Sequence, residues 1–209
     1  MDIVTKLLLV LAVILVSMIL HEFMHGVTAY WLGDDTAKVN GRLTFNPLRH
    51  LDPFLSFILP LILAVSGGPI FGGAKPVPID PHKLRWGEWG MALTAIAGPA
   101  TNFVLAFICF ALWATLRPIG LTEDFLLLGF QVNMGFCIFN LIPIPPLDGS
   151  RVLYAVAPDG VRQIMASMER FGLIVVFVLI FFLGGLFGQI MSAGISGMFD
   201  VYVSLFRII

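Results

Sequence analysis

Residues 3–31 read IVTKLLLVLAVILVSMILHEFMHGVTAYW. From Leu7 to Leu20 the run carries no charge, and with its flanks it exceeds the about 20 apolar residues that a helix needs to cross a bilayer. Lys6 in front gives it the look of a signal peptide. No small-residue cleavage site follows, however, and the run continues into His21 and Glu22, so it reads as a retained helix. A charged side chain at the centre of a span costs about 2.5–3.5 kcal/mol on insertion scales and marks function. Here His21, Glu22 and His25 fall within one helical turn. Residues four apart share a helix face, so His21 and His25 can offer two imidazoles to one metal ion, with Glu22 on the neighbouring face. Zinc held this way lowers the pKa of bound water to about 7, and the carboxylate takes the proton as that water attacks. The plainer alternative is a pair of histidines hydrogen-bonded in a bundle.

Working outward, three further apolar runs are long enough to span, at about 87–116, 122–143 and 171–191. The run 53–65 is too short and reads as a re-entrant or interfacial piece, and 194–209 as a short final helix along the membrane. The composition agrees. The 209 residues are 58% hydrophobic and 12% charged, against the about 25% charge of an ordinary soluble domain. A net charge of −1 argues against a nucleic-acid partner, which would require a basic patch. Cys109 and Cys137 sit in apolar runs and read as small core residues. No polar linker divides the chain. Residues 1–209 therefore read as a single membrane-embedded unit, with a catalytic core at about 3–157 and C-terminal helices at about 168–209.

Between the first two long runs the pattern changes. Residues 37–46 alternate polar and apolar around Asn40-Gly41, a hairpin signal. Residues 70–79, with Gly72-Gly73 and then Lys75-Pro76-Val77-Pro78, read as an extended edge. The expected fold is thus an all-α membrane protein: a multi-span bundle of four core spans, a re-entrant segment and a C-terminal helix, with a small membrane-associated β-sheet. With four spans, nine of the 12 Lys and Arg residues fall on one side, leaving Lys6, Arg117 and Arg207 on the other. That bias places the longer loops in the cytoplasm.

Catalytic zinc takes three protein ligands and keeps an open position. His50 and His82 lie in the polar connection without helical pairing and read as surface residues. Asp148 in Leu147-Asp148-Gly149 is the better third ligand. It ends the third run, which is parallel to the first if one span separates them, and so reaches the depth of His21 and His25.

Three elements in this order resemble the site-2 proteases: His21-Glu22-Phe23-Met24-His25, then Ala97-Gly98-Pro99-Ala100-Thr101-Asn102, then the stretch from Asn140 to Gly149. The resemblance covers about residues 17–151. It implies an intramembrane zinc metalloprotease in a minimal form without an extra regulatory domain. His21, His25 and Asp148 would bind Zn2+ and Glu22 would act as general base. Asn102 and Asn140 would act beside them, on the substrate backbone or its carbonyl. Gly73, Lys75, Pro76, Val77 and Pro78 would hold an unwound single-span substrate drawn from the surrounding lipid. Two other classes stand beside this reading. A zinc transporter would use the same ligands as a transit site, but it has no need of Glu22 and would want acidic or histidine residues at several depths, where the sequence offers one such cluster. A non-catalytic relative would bind transmembrane segments, and loss of a ligand or of Glu22 would favour it.

Overall fold

A computed structural model describes residues 2–53, 58 and 73–208. Apart from Pro53 and Ile58, the expected re-entrant run 53–65 lies outside the described residues, as does the start of the expected edge 70–79. Helix α1 (Ile3–Trp31) is capped by Asp2, whose carboxylate accepts from the Thr5 amide at 2.9 Å and the Thr5 hydroxyl at 2.8 Å. A short α2 (Thr36–Val39) follows, and then α3 (Glu88–Leu116), α4 (Leu121–Asn140), α5 (Asp148–Val156), α6 (Asp159–Phe171) and α7 (Leu173–Phe206).

Helix α3 is the hub, touching α1, α4, α5 and α7. Its register against α1 is antiparallel: Thr94 meets His25, whereas Asn102 meets His21 and Ser17. Its register against α4 is antiparallel too, since Asn102 meets Asn133, whereas Phe110 meets Phe130. α1 and α4 therefore run parallel, as the Asp148 argument required. At the other end, Ala106, Phe110, Phe130, Met134 and Tyr202 form a buried cluster that fastens α7 to α3 and α4. Burying a large apolar side chain is worth about 1.5–3 kcal/mol. By contrast, Ile3, Val4, Leu7, Leu8 and Leu11 on α1, and Phe181, Phe182 and Leu186 on α7, stand exposed. Apolar surface left uncovered on that scale suits lipid.

Four sequence expectations are corrected. First, no β-strand occurs among the described residues, so the small β-sheet is not there. Asn40-Gly41 does not turn a hairpin; it ends α2. Gly41 takes φ +63°, Arg42 N–H donates to Ala37 O and Gly41 N–H to Lys38 O, which is a Schellman closure. The same chemistry, a glycine tolerating positive φ, serves either turn. Residues 73–79 pair with no strand among the described residues. Pro76 and Pro78 have no N–H to donate along one edge, and the donors of the other edge are taken singly, as described below.

Second, among the described residues three helices are long and apolar enough to cross a membrane: α1, α3 and the 181–206 part of α7. The expected third span became α4, which carries Glu123 and Asp124 in its first turn and Gln131, Asn133 and Asn140 beyond, and falls short on composition. Third, the expected span 171–191 and separate tail helix are one continuous α7, begun after Gly172 at φ +44°. Gly194 within it lets α7 lie against Ile138, whose Cδ1 would stand 2.7 Å from an added Cβ. Fourth, His50 is fully buried rather than on the surface, with Nε2 2.7 Å from Thr44 O; His82 is exposed as expected.

Candidate metal centre

Three elements converge on one point. α1 contributes His21 and His25 from successive turns. α5 contributes Asp148 from its first residue. α3 passes behind them with Gly98. The Nε2 atoms of His21 and His25 lie 2.9 Å apart, and Asp148 Oδ2 is 3.2 Å from the first and 3.3 Å from the second. Among the described residues this is the group able to hold a metal ion.

The approach of helix α3 requires a glycine. A Cβ on Gly98 would stand 2.4 Å from His25 Nε2 and 2.6 Å from His21 Nε2, inside the imidazoles. Gly149 is required as well, because a Cβ there would stand 2.2 Å from Leu141 O. The chain after α4 folds onto the backbone of α5 at that point, and this sets Asp148 against the histidines.

The hydrogen bonds on the far side of each ring decide what the near side offers. His25 Nδ1 lies 2.7 Å from Thr94 O, a carbonyl that can only accept, so Nδ1 carries the proton. His21 Nδ1 lies 2.6 Å from Asn102 Oδ1 and is likewise the donor. In their neutral form, the form that binds a metal, both rings therefore turn Nε2 lone pairs toward each other and toward the Asp148 carboxylate. Its Oδ2 is buried and accepts no hydrogen bond. Three acceptors within 3.3 Å of one another, with no proton to share, fit a cation. Ligand atoms at about 2.0–2.1 Å from a tetrahedral zinc stand about 3.3 Å from one another, close to the separations found here.

The remaining predicted residues are distributed around this centre. Glu22 is half-buried next to the cluster, and its Oε2 accepts the Val77 N–H at 2.9 Å. Of the strip 73–78, Val77 is buried and Lys75 and Pro76 are exposed; Lys75 N–H donates to His50 O, and Lys75 O accepts from Arg42 Nη2 at 2.6 Å. Gly26, one turn beyond Glu22, lets Val77 and Leu43 lie on α1. Asn102 is fully buried in the site. Asn140 donates from Nδ2 to Phe136 O of its own helix at 3.0 Å. Sequence reasoning missed Thr94, Arg42 and Asn133. Asn133 had a signal of its own, an amide inside an apolar run that must find a partner.

Comparison with known proteins agrees with the geometry. The model of peptidase family M50 matches residues 9–125 and 118–183. The "Putative zinc metalloprotease YwhC" of Bacillus subtilis (strain 168) is 39% identical over 175 residues, covering 79% of this chain and 77% of its own. The "Putative zinc metalloprotease Rip2" of Mycobacterium tuberculosis (strain H37Rv) is 34% identical over 178 residues, covering 84% of this chain and 66% of its own. No solved structure gives a significant match. With a family match running through α1, α3 and α4 and a trio of acceptors built for a cation, the chain belongs to peptidase family M50, the site-2 protease family of zinc metalloproteases.

Proposed function

We propose that this chain is an intramembrane zinc endopeptidase that hydrolyses peptide bonds within or near single transmembrane helices of other proteins. The observation that carries the reading is the proton-free trio of His21, His25 and Asp148 beside Glu22, set in apolar helices. These three residues hold the metal and Glu22 is the general base. When bound, zinc supplies Lewis-acid polarisation of the scissile carbonyl and acidifies water that meets it. The work of the chain is positional. Val77 N–H holds one Glu22 oxygen, which leaves Oε1 to take the proton from water and pass it to the leaving amine. The substrate must unwind first, because its carbonyls are otherwise satisfied within its own helix. Strip 73–78 receives the unwound segment by strand addition, its extended backbone offering carbonyls to substrate amides.

Glu22→Gln tests the mechanism. It keeps both imidazoles and Asp148, so zinc should remain at about one per chain while cleavage of a co-expressed single-span protein falls about 10²- to 10⁴-fold. Near-normal turnover by this variant would remove Glu22 from the base role.

The charge bias favours an outside N-terminus and a centre open to cytoplasmic water. Asp34 is an unsuitable labelling site, being fully buried and accepting from the Thr36 and Asp80 amides. Val39 and Ile119 are exposed on the two connections flanking α3. With Cys109 and Cys137 replaced by alanine, Ile119→Cys should react with an impermeant thiol reagent on intact cells. Val39→Cys should react only after the cytoplasmic face is opened. The reverse pattern would invert the topology.

A further inference from the structure

The two metal-facing imidazoles are fixed by unlike means. His25 leans on a backbone carbonyl, Thr94 O, which has no alternative role. His21 leans on the side chain of Asn102, and an amide can present either end. If Asn102 turned its NH2 to His21, Nδ1 would become the acceptor and the proton would move to Nε2, the atom that faces Asp148.

The direction is set one residue further out. Gly129 O, a backbone carbonyl of α4, can only accept, and Asn133 Nδ2 donates to it at 2.8 Å. The other end of that amide, Oδ1, therefore faces Asn102 and accepts from Asn102 Nδ2 at 2.8 Å. A second Asn102 Nδ2 contact reaches Ser17 O at 3.4 Å, again an acceptor. With its NH2 committed on that side, Asn102 has only Oδ1 left for His21 Nδ1, 2.6 Å away. All four side chains in this region are sealed from water, with Ser17 2%, His21 7%, Asn102 0% and Asn133 3% exposed, so solvent cannot substitute for a missing partner.

From this directed chain we infer that Asn133 is a positioning residue for the metal centre: acting through Asn102, it fixes the His21 tautomer that leaves Nε2 free to bind zinc. The inference rests on the metal reading proposed above. It is specific to the relay from Gly129 O through Asn133 and Asn102 to His21. Partners of this kind behind a metal-binding histidine typically change metal affinity about 10- to 100-fold.

The test is zinc affinity of the purified full chain in detergent, measured by competition with a chelator and checked by the visible spectrum of the cobalt(II)-loaded protein. Asn133→Leu should weaken zinc about 10- to 100-fold and distort the cobalt spectrum. Asn133→Asp should restore both, because an aspartic acid still accepts from Asn102 Nδ2 and, when protonated, donates to Gly129 O. Asn102→Leu and the double variant Asn102→Leu/Asn133→Leu should bind zinc equally weakly, since a residue that acts only through Asn102 loses nothing more once Asn102 is gone. If Asn133→Leu does not fold, Asn133→Ala replaces it in both comparisons. Wild-type affinity in the apolar variants overturns the relay. So does a double variant whose loss is the product of the two single losses, or an Asp variant no better than Leu. A wild-type chain that binds no zinc, with Asp148→Ala indistinguishable from it, would instead overturn the metal reading itself.

Discussion

The helical wall of the centre and the extended strip 73–79 satisfy their backbones in opposite ways. In α1, α3 and α4 the peptide groups bond within each helix, so side chains are free to be placed against one another. Thr94 O and Asn102 Oδ1 meet the Nδ1 atoms of His25 and His21, and Asn133 Oδ1 meets Asn102 Nδ2. The strip has no ladder among the described residues. Its Lys75 N–H goes to a loop carbonyl, its Lys75 O to the guanidinium of Arg42, and its Val77 N–H to the Glu22 carboxylate. Displacing the wall would break helices. Displacing the strip breaks hydrogen bonds made one at a time to His50, Arg42 and Glu22. In the proposed function this contrast has a use: the helical wall would hold the metal, and the strip beside Glu22 would exchange its partners for those of an unwound peptide.

Substitutions in the two regions should separate their roles. The largest effect is expected from Asp148→Ala. It leaves the two imidazoles without their carboxylate, and zinc affinity should fall by more than the roughly 10- to 100-fold that outer partners are worth. Retention of zinc at wild-type affinity would show that the wall does not need α5. Next is Gly98→Ala, in which one methyl group enters between two anchored rings at 2.4–2.6 Å. A shift of about 1 Å at such a site can cost about 10²-fold in rate. Cleavage assays together with circular dichroism would show the loss with helicity intact. Unchanged activity would mean that the wall yields, contrary to its anchoring. The smallest effect belongs to the strip. Arg42→Met removes the bond to Lys75 O but keeps apolar bulk, so zinc content should be unchanged and cleavage should drop by about tenfold, in line with a charged hydrogen bond worth about 1.5–3 kcal/mol of which part is recovered. A drop in zinc content instead would tie the strip to the wall.

The helical core and the metal ligands were legible because each rests on a local period. Apolar runs of span length and a four-residue histidine spacing need no knowledge of the fold. Asp148 was legible by counting reversals of direction. The strip was misread as part of a sheet because an extended conformation is a property of single residues, whereas a strand is a property of pairs. Lys75-Pro76-Val77-Pro78 specifies the first, and only Glu22, Arg42 and His50 arriving from elsewhere determined its partners. Asn40-Gly41 likewise specified a positive φ but not which turn would use it.

By itself, then, the order of residues determined that this chain is helical, that it suits lipid and that it carries two imidazoles, a carboxylate and a base suited to zinc. Tertiary structure alone decided which nitrogen of each imidazole is free. A tautomer depends on what faces the opposite side of the ring, and those groups, Thr94 O and Asn102 Oδ1, lie 69 and 81 residues from the histidines they meet.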